Sequence, residues 1–374
     1  MIINNMIIKL DKSIVESVTK NPESQYLLLF LEKLAQTIAY GHHCVVSDRD
    51  TLEKIICLND ISLFSKTIFR KSLNKITFLG DFLAQDFAIR FIFVDNSFDF
   101  ECDFSELFVV NLFDYKGSVT SIDRFLGRSN LIVEDVDDIV VYNLVMESYK
   151  LFRGDNYNLD FVPVHGGGDR SHEVCSILYT TNYNVFAICD SDKKHPQSND
   201  GVTALKLIHF FESKKIRDRL HVLNCHEVEN LIPLNVIDNK ANSTQRMPVD
   251  FISNATTINL ESYLYYDFKR GHKYKEVFKD ENSFSEYWRG LYGAFSCPLF
   301  LKRLAEFENN RLDISHNLTA STSSLISLIK KDIKDGKVVS MDISSLSPAC
   351  LIPLWKLIGE IFYFWFISTP VVKL

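Results

Sequence analysis

Between Asn130 and Leu223 short apolar runs alternate with longer helical ones, and this pattern most constrains what the chain can fold into. Leu131–Val133, Phe161–Val164, Val185–Cys189 and His221–Leu223 read as strands, while residues 138–151, 171–180 and 202–217 between them have helical length and spacing. Strands alternating with helices predict βαβ units, hence an α/β fold with a parallel, Rossmann-like sheet and helices on both faces. Ligands of such sheets gather at the carboxyl ends of the strands, and most of the conspicuous polar residues fall there.

The flanks are less regular. Residues 13–40 read as helical on the spacing of Leu27, Leu28, Phe30, Leu31, Leu34, Ala35 and Ile38, and a short strand follows at His43–Val46. With further apolar runs at Ile76–Leu79, Ala88–Val94 and Leu107–Phe113, residues 1–125 are expected to form a small mixed α/β domain. The parallel-sheet domain takes 126–235, and 236–374, rich in aromatic and helix-forming segments, reads as a mainly helical extension. Within it, Leu351–Ile367 is strongly apolar but carries Pro353, Lys356 and Glu360, which favours a core or interface helix over a membrane span.

With 374 residues, 46% hydrophobic and 24% charged, the chain has the composition of a folded protein. Its net charge of −7 gives no general attraction for a phosphate backbone, so any nucleic-acid contact must come from local basic patches. The eight cysteines show no CxxC and no repeated spacing, as reduced thiols would. Residues 1–13 lack the features of a secretion signal, so a cytoplasmic location is expected.

The candidate chemistry sits at three strand ends. Glu134 follows the first strand, with Asp138 one helical turn on, and Asp190 and Asp192 follow the third. If these strands are neighbours, the carboxylates face one crevice, where they repel unless a divalent cation joins them; oxygen donors suit Mg²⁺ or Mn²⁺. After the second strand come His165 and then Gly166, Gly167 and Gly168, glycines that let backbone N–H groups approach a phosphate.

The strings Glu134-Asp135-Val136-Asp137-Asp138, Asp190-Ser191-Asp192 and Val228-Glu229-Asn230-Leu231, in this order, resemble the TOPRIM domain, in the variety carried by OLD-family nucleases. The resemblance covers residues 128–235. It implies that Glu134 binds metal or moves a proton, that Asp190 and Asp192 hold metal, and that Asp138 and Glu229 complete a second metal position. The implied activity is metal-dependent hydrolysis of DNA or RNA by two ions. Two departures stand out: Asp135 replaces the family's usual glycine, and no GxxxxGK[ST] is present, so any ATPase would be a separate P-loop protein. By analogy the chain is an effector of a bacterial defence system, anti-phage or toxin-like, acting with such a partner; homo-oligomerisation stays open.

Lys193 and Lys194 are candidate phosphate contacts, as are Lys214, Lys215, Arg217 and Arg219 on or after the next helix, and the run Lys269, Arg270, His272, Lys273 and Lys275. His165, His195 and His226 are candidates to assist protonation. His42, His43, Cys44, Asp48 and Asp50 match no zinc spacing and read as a strand edge and helix cap. The alternative to a nuclease is a non-catalytic TOPRIM module that binds nucleic acid or a protein partner. A primase would bring a zinc module and a topoisomerase a larger DNA gate; a HAD-like phosphatase would not explain Glu134 and Glu229 together.

Overall fold

The computed structural model describes residues 4–20, 25–76, 88–93, 109–111, 123, 124, 126–154, 157–182, 184–309, 311–319 and 321–368. The chain opens with β1 (Asn4–Leu10), α1 (Ser13–Lys20), α2 (Gln25–Tyr40), β2 (Val45–Ser47), α3 (Arg49–Cys57), α4 (Leu63–Asn74), β3 (Ala88–Phe93) and β4 (Val109–Asn111). The four strands form one sheet, in the order β2-β1-β3-β4, with every pair parallel. The spacing read in α2 is its buried stripe: Leu27, Phe30, Leu31, Leu34, Ala35 and Ile38 are buried with Ile8, Leu10 and Val45 of the sheet. The run Leu107–Phe113 is described only at 109–111, and residues 77–79 of the run at Ile76–Leu79 lie outside the described residues.

The second sheet is the one the alternation predicts. It consists of β5 (Asn130–Val133), α5 (Ile139–Arg153), a short β6 (Asn158–Leu159) outside the sheet, β7 (Val162–His165), α6 (Ser171–Thr181), β8 (Val185–Cys189), α7 (Val202–Ser213) and β9 (Leu220–Val222). All pairs are parallel and the order is β7-β5-β8-β9. β5 and β8 are buried along their whole length because both faces are covered. Leu131, Val133, Phe186 and Ile188 face a core that includes α5. Ile132, Val185, Ala187 and Cys189 face the other way, onto Cys175 of α6 and Ala204, Leu207 and Phe211 of α7.

This order places the site. The chain moves from β5 to β7 in one direction and from β7 to β8 back across β5, so right-handed crossovers put α5 on one face and α6 and α7 on the other. The loops leaving β5 and β8 therefore diverge, and a crevice opens between two adjacent strand ends.

The remaining elements are α8 (Leu234–Lys240), α9 (Arg246–Ile258), α10 (Ser262–Tyr265), α11 (Tyr274–Phe278), α12 (Ser283–Gly293), α13 (Pro298–Glu308), α14 (Ser323–Lys334), α15 (Leu351–Phe366) and β10 (Ile367–Ser368). The region is helical, as expected, but in packing it is no appendage. One cluster of buried side chains runs from Val46 through Leu131 and Phe186 to Trp288, Phe362 and Phe366. α15 lies inside it: Phe186 meets Trp365 at 4.9 Å and Phe362 at 6.2 Å between ring centres, and Phe161 meets Phe366 at 4.9 Å. β10 then pairs antiparallel with β6. Among the described residues no helix is long and apolar enough to cross a membrane. The apolar C-terminal segment is a helix of the interior, buried on most sides. The cysteines among the described residues are all free thiols.

α15 approaches α5 closely enough that a Cβ on Gly359 would lie 2.5 Å from Cβ of Tyr149. Gly359→Val should therefore lower unfolding stability by about 2 kcal/mol, the usual cost of overpacking a core. Gly290→Ala, where nothing lies within 4 Å of the added carbon, should be neutral or gain up to about 1 kcal/mol from helix propensity. Chemical denaturation of both variants checks the pair; equal stabilities would contradict the packing of α15 on α5.

Candidate functional site

Glu134 stands at the end of β5 and Asp190 at the end of β8, side by side at the crevice. The backbone N–H of Asp190 donates to Glu134 Oε1 at 3.3 Å. The turn after Glu134 is a single 3-10 turn, Val136–Asp138, whose capping residue is Asp135. Asp135 Oδ1 accepts from the Asp137 N–H at 3.0 Å, and the Asp135 N–H donates to Asp138 Oδ2 at 3.2 Å. Its φ of −126° is extended backbone open to any L-residue, so the aspartate costs no strain here and caps the turn.

The loop after β8 turns sharply at Asp192, which has a φ of 54°. Its N–H donates to the His226 carbonyl at 2.9 Å, and Gly201 closes against it; a Cβ on Gly201 would collide with the Asp192 carboxylate. Asp192 is exposed, at the mouth of the crevice.

The third motif comes in from below. Val228 N–H donates to Asp190 Oδ1 at 2.9 Å, fixing that carboxylate against the turn Val228–Leu231. Asn230 is fully buried and structural: its Oδ1 accepts from the Glu227 N–H, and its Nδ2 donates to the Tyr263 and Tyr266 carbonyls at 2.7 and 3.0 Å. The asparagine thus ties the strand-end motif to the helical region. Glu229, 1% exposed, and Glu227, 7% exposed, both point into the cluster.

Asp190, Glu227 and Glu229 each offer a carboxylate oxygen, all within 4.8 Å of one another, a grouping that can hold a metal ion. Glu227 was not singled out from sequence. The signal lay in its place two residues before Glu229. Its Oε1 is buried with no hydrogen-bond partner, which fits a site built for a cation.

Asp138 and Glu229 were expected to complete a second ion position. The structure places the Lys330 ammonium of α14 there, 2.8 Å from Asp138 Oδ1 and 2.8 Å from Glu229 Oε1. Lys269 bridges the other side, 2.9 Å from Glu227 Oε2 and 3.0 Å from Glu229 Oε2. A cavity of about 430 Å³ opens beside Glu229, with Lys269, Lys330, Lys331 and Lys334 in its wall opposite Asp135 and Asp137.

Protonation follows from burial and from these charges. Burial, with the Asp192 charge added, pushes the Glu134 carboxyl up to about 7. Burial and then Glu229 push Glu227 up to about 7. Asp190 is raised well above the usual carboxyl range, by burial first and then by Glu134, Glu229, Asp138 and Glu227. Asp138 is raised because burial outweighs Lys330. Only Glu229 moves down: burial opposes it, and Lys330 and Lys269 together prevail.

The other candidate residues divide. Gly167 and Gly168 adopt φ of 78° and 58°, and Gly166 donates from its N–H to the Val133 carbonyl at 2.7 Å, so the glycine run is required by the turn itself. Lys193 pairs with Asp200 at 3.1 Å, and the Lys194 carbonyl accepts from Trp288 Nε1 at 2.8 Å. Lys214 and Lys215 follow the far end of α7, whose start is beside Asp192. A helix of that length carries them roughly 18 Å away, to the wrong edge of the sheet for contact with the same phosphate. Arg219 is buried, its guanidinium 5.8 Å from the Tyr179 ring centre, so it is no surface phosphate ligand. His272 is likewise buried, and burial lowers its imidazole to about 3, which removes it from the basic run. His195 Nε2 lies 3.1 Å from the Ser283 hydroxyl, whereas His165 is exposed. His43 bonds the Leu126 and Gly127 carbonyls, and Asp48 caps α3, as expected of a strand edge and helix cap.

Comparison with family models, with curated proteins and with solved structures gives no significant match.

A carboxyl raised in the folded chain binds its proton more tightly there than when unfolded. Glu134 therefore lowers stability progressively as pH rises from its ordinary value of 4.5 to about 7, and the loss is complete above that. With a chelator present, Glu134→Gln should raise the melting temperature at pH 8 and leave it unchanged at pH 4. A lower melting temperature at pH 8 would show that the Glu134 charge is stabilising.

Proposed function

We propose that the chain is a metal-dependent phosphodiesterase acting on DNA or RNA, a TOPRIM-like nuclease of the OLD variety, whose centre is Glu134, Asp190, Glu227 and Glu229 with Asp192 at the mouth. The observation that carries this reading is the convergence of buried carboxylates, one with an orphaned oxygen, at the divergent strand ends of a parallel sheet. A hard divalent ion, Mg²⁺ or Mn²⁺, held by Asp190, Glu227 and Glu229 supplies positive charge to a phosphate oxygen and lowers the pKa of water. The chain's own groups do the rest. Glu134, with its carboxyl raised to about 7, accepts a proton from the attacking water near neutral pH. Lys330 fills the place of the second ion and offsets the charge of Asp138 and Glu229, so the reading needs one ion at the carboxylates. Lys331 and Lys334 in the cavity wall, Lys193 and Lys194, and the backbone of Gly167 and Gly168 are the places for flanking phosphates, the Gly166 N–H being taken by the Val133 carbonyl. Action in bacterial defence with a separate P-loop ATPase belongs to the same proposal and rests on the resemblance alone.

One observation favours the second reading, a non-catalytic binding module: Lys269 and Lys330 already neutralise much of the cluster. Incubation with plasmid, single-stranded DNA and tRNA in Mg²⁺, Mn²⁺ or EDTA separates the two. Cleavage should need the metal and fall at least about a hundredfold in Asp190→Asn, a loss of roughly 3 kcal/mol of transition-state stabilisation. Binding without cleavage under every condition would favour the module. Lys331→Ala with Lys334→Ala should weaken nucleic-acid binding and flatten its salt dependence by about two charges; an unchanged slope would place the backbone elsewhere.

A further inference from the structure

We infer that the chain holds a second, chemically different metal site at His226, Glu227 and Asp267, suited to a transition ion such as Mn²⁺, Zn²⁺ or Fe²⁺. It shares Glu227 with the carboxylate cluster and does not depend on the nuclease reading.

One ligand atom from each of the three residues lies within 4.8 Å of the others. His226 and Glu227 are 5% and 7% exposed, and each leaves one polar atom without a hydrogen-bond partner. These are His226 Nδ1 and Glu227 Oε1, while His226 Nε2 faces Asp267 Oδ2 in a long ion pair at 3.8 Å. A buried imidazole nitrogen without a partner costs free energy unless something joins it.

The backbone holds all three in place. The His226 N–H donates to the Leu264 carbonyl at 2.7 Å and its carbonyl accepts from Asp192, while Asp267 Oδ1 accepts from the Arg270 N–H at 2.7 Å, leaving Oδ2 turned toward His226. Glu227 keeps Oε2 with Lys269 and leaves Oε1 for an ion. Donors about 2.1 Å from a common ion at tetrahedral angles stand about 3.4 Å apart, so closure asks atoms now within 4.8 Å to contract by up to about 1.4 Å. Imidazole with two carboxylates favours first-row transition ions over Mg²⁺, which separates this site from the all-oxygen group beside it.

The test uses the purified full chain, stripped with EDTA and reloaded with Mn²⁺, followed by metal stoichiometry and by electron spin-echo modulation, which reports a nitrogen ligand. Wild type should bind Mn²⁺ with a ¹⁴N modulation. His226→Gln and, as a milder change, Asp267→Asn should each lose about one equivalent, and His226→Gln should also lose the modulation. Asp190→Asn should keep it. Circular dichroism reports folding, and Asp267→Asn decides if His226→Gln unfolds. Wild type without a nitrogen signal, or folded Asp267→Asn with unchanged stoichiometry, would overturn the site. Neither result bears on cleavage, whose loss in Asp190→Asn tests the nuclease reading separately.

Discussion

Negative charge packed at the edge of the central sheet is the constraint on which the rest of the structure depends. Asp138, Asp190, Glu227 and Glu229 are each less than a tenth exposed, and removing so many carboxylates from water is costly unless cations accompany them. The chain answers in two ways. It brings Lys269 and Lys330 in from the helical region, and it leaves several of the carboxyls with raised proton affinity. A cluster kept only for stability would be simpler as apolar side chains. Retaining these carboxyls with a buried unpartnered oxygen fits a role in cation binding.

The same constraint explains why the C-terminal region is built into the core. Asn230 spans from the strand-end turn to the carbonyls of Tyr263 and Tyr266, and Trp355 Nε1 donates to the Leu231 carbonyl at 2.9 Å. α14 must be held rigidly for Lys330 to reach two carboxylates at once. Its buried Leu325, Ile326 and Ile329 belong to the same core as α15, so the aromatic interior and the charged edge are held by one set of packed elements.

Much of this was legible in the sequence. From Leu131 to Val222 the alternation of short apolar and longer helical runs located the strands within a residue or so, because a sheet covered on both faces needs such runs. Glu134, Asp190, Asp192 and Glu229 were readable as strand-end or turn residues. β1 was not, since Asn4, Asn5 and Lys9 break the apolar signature and only its pairing makes it a strand. Lys330 was also invisible: its partners lie 192 and 101 residues away, and no local period encodes such a contact. Arg219 misled because a charged residue after a helix usually faces water, whereas here it is buried near the Tyr179 ring.

The central claim is that the buried carboxyls are held for a cation. It is tested most directly by counting the protons released when Mn²⁺ binds at pH 6, from calorimetry in buffers of differing ionisation enthalpy. With Glu134 and Glu227 raised to about 7, these two are largely protonated at that pH, and binding should expel protons. Asp190→Asn should lose the ion bound at the carboxylates and most of this proton release, keeping only the ion at His226. Mn²⁺ that binds without releasing protons, or with unchanged stoichiometry in Asp190→Asn, would contradict the account.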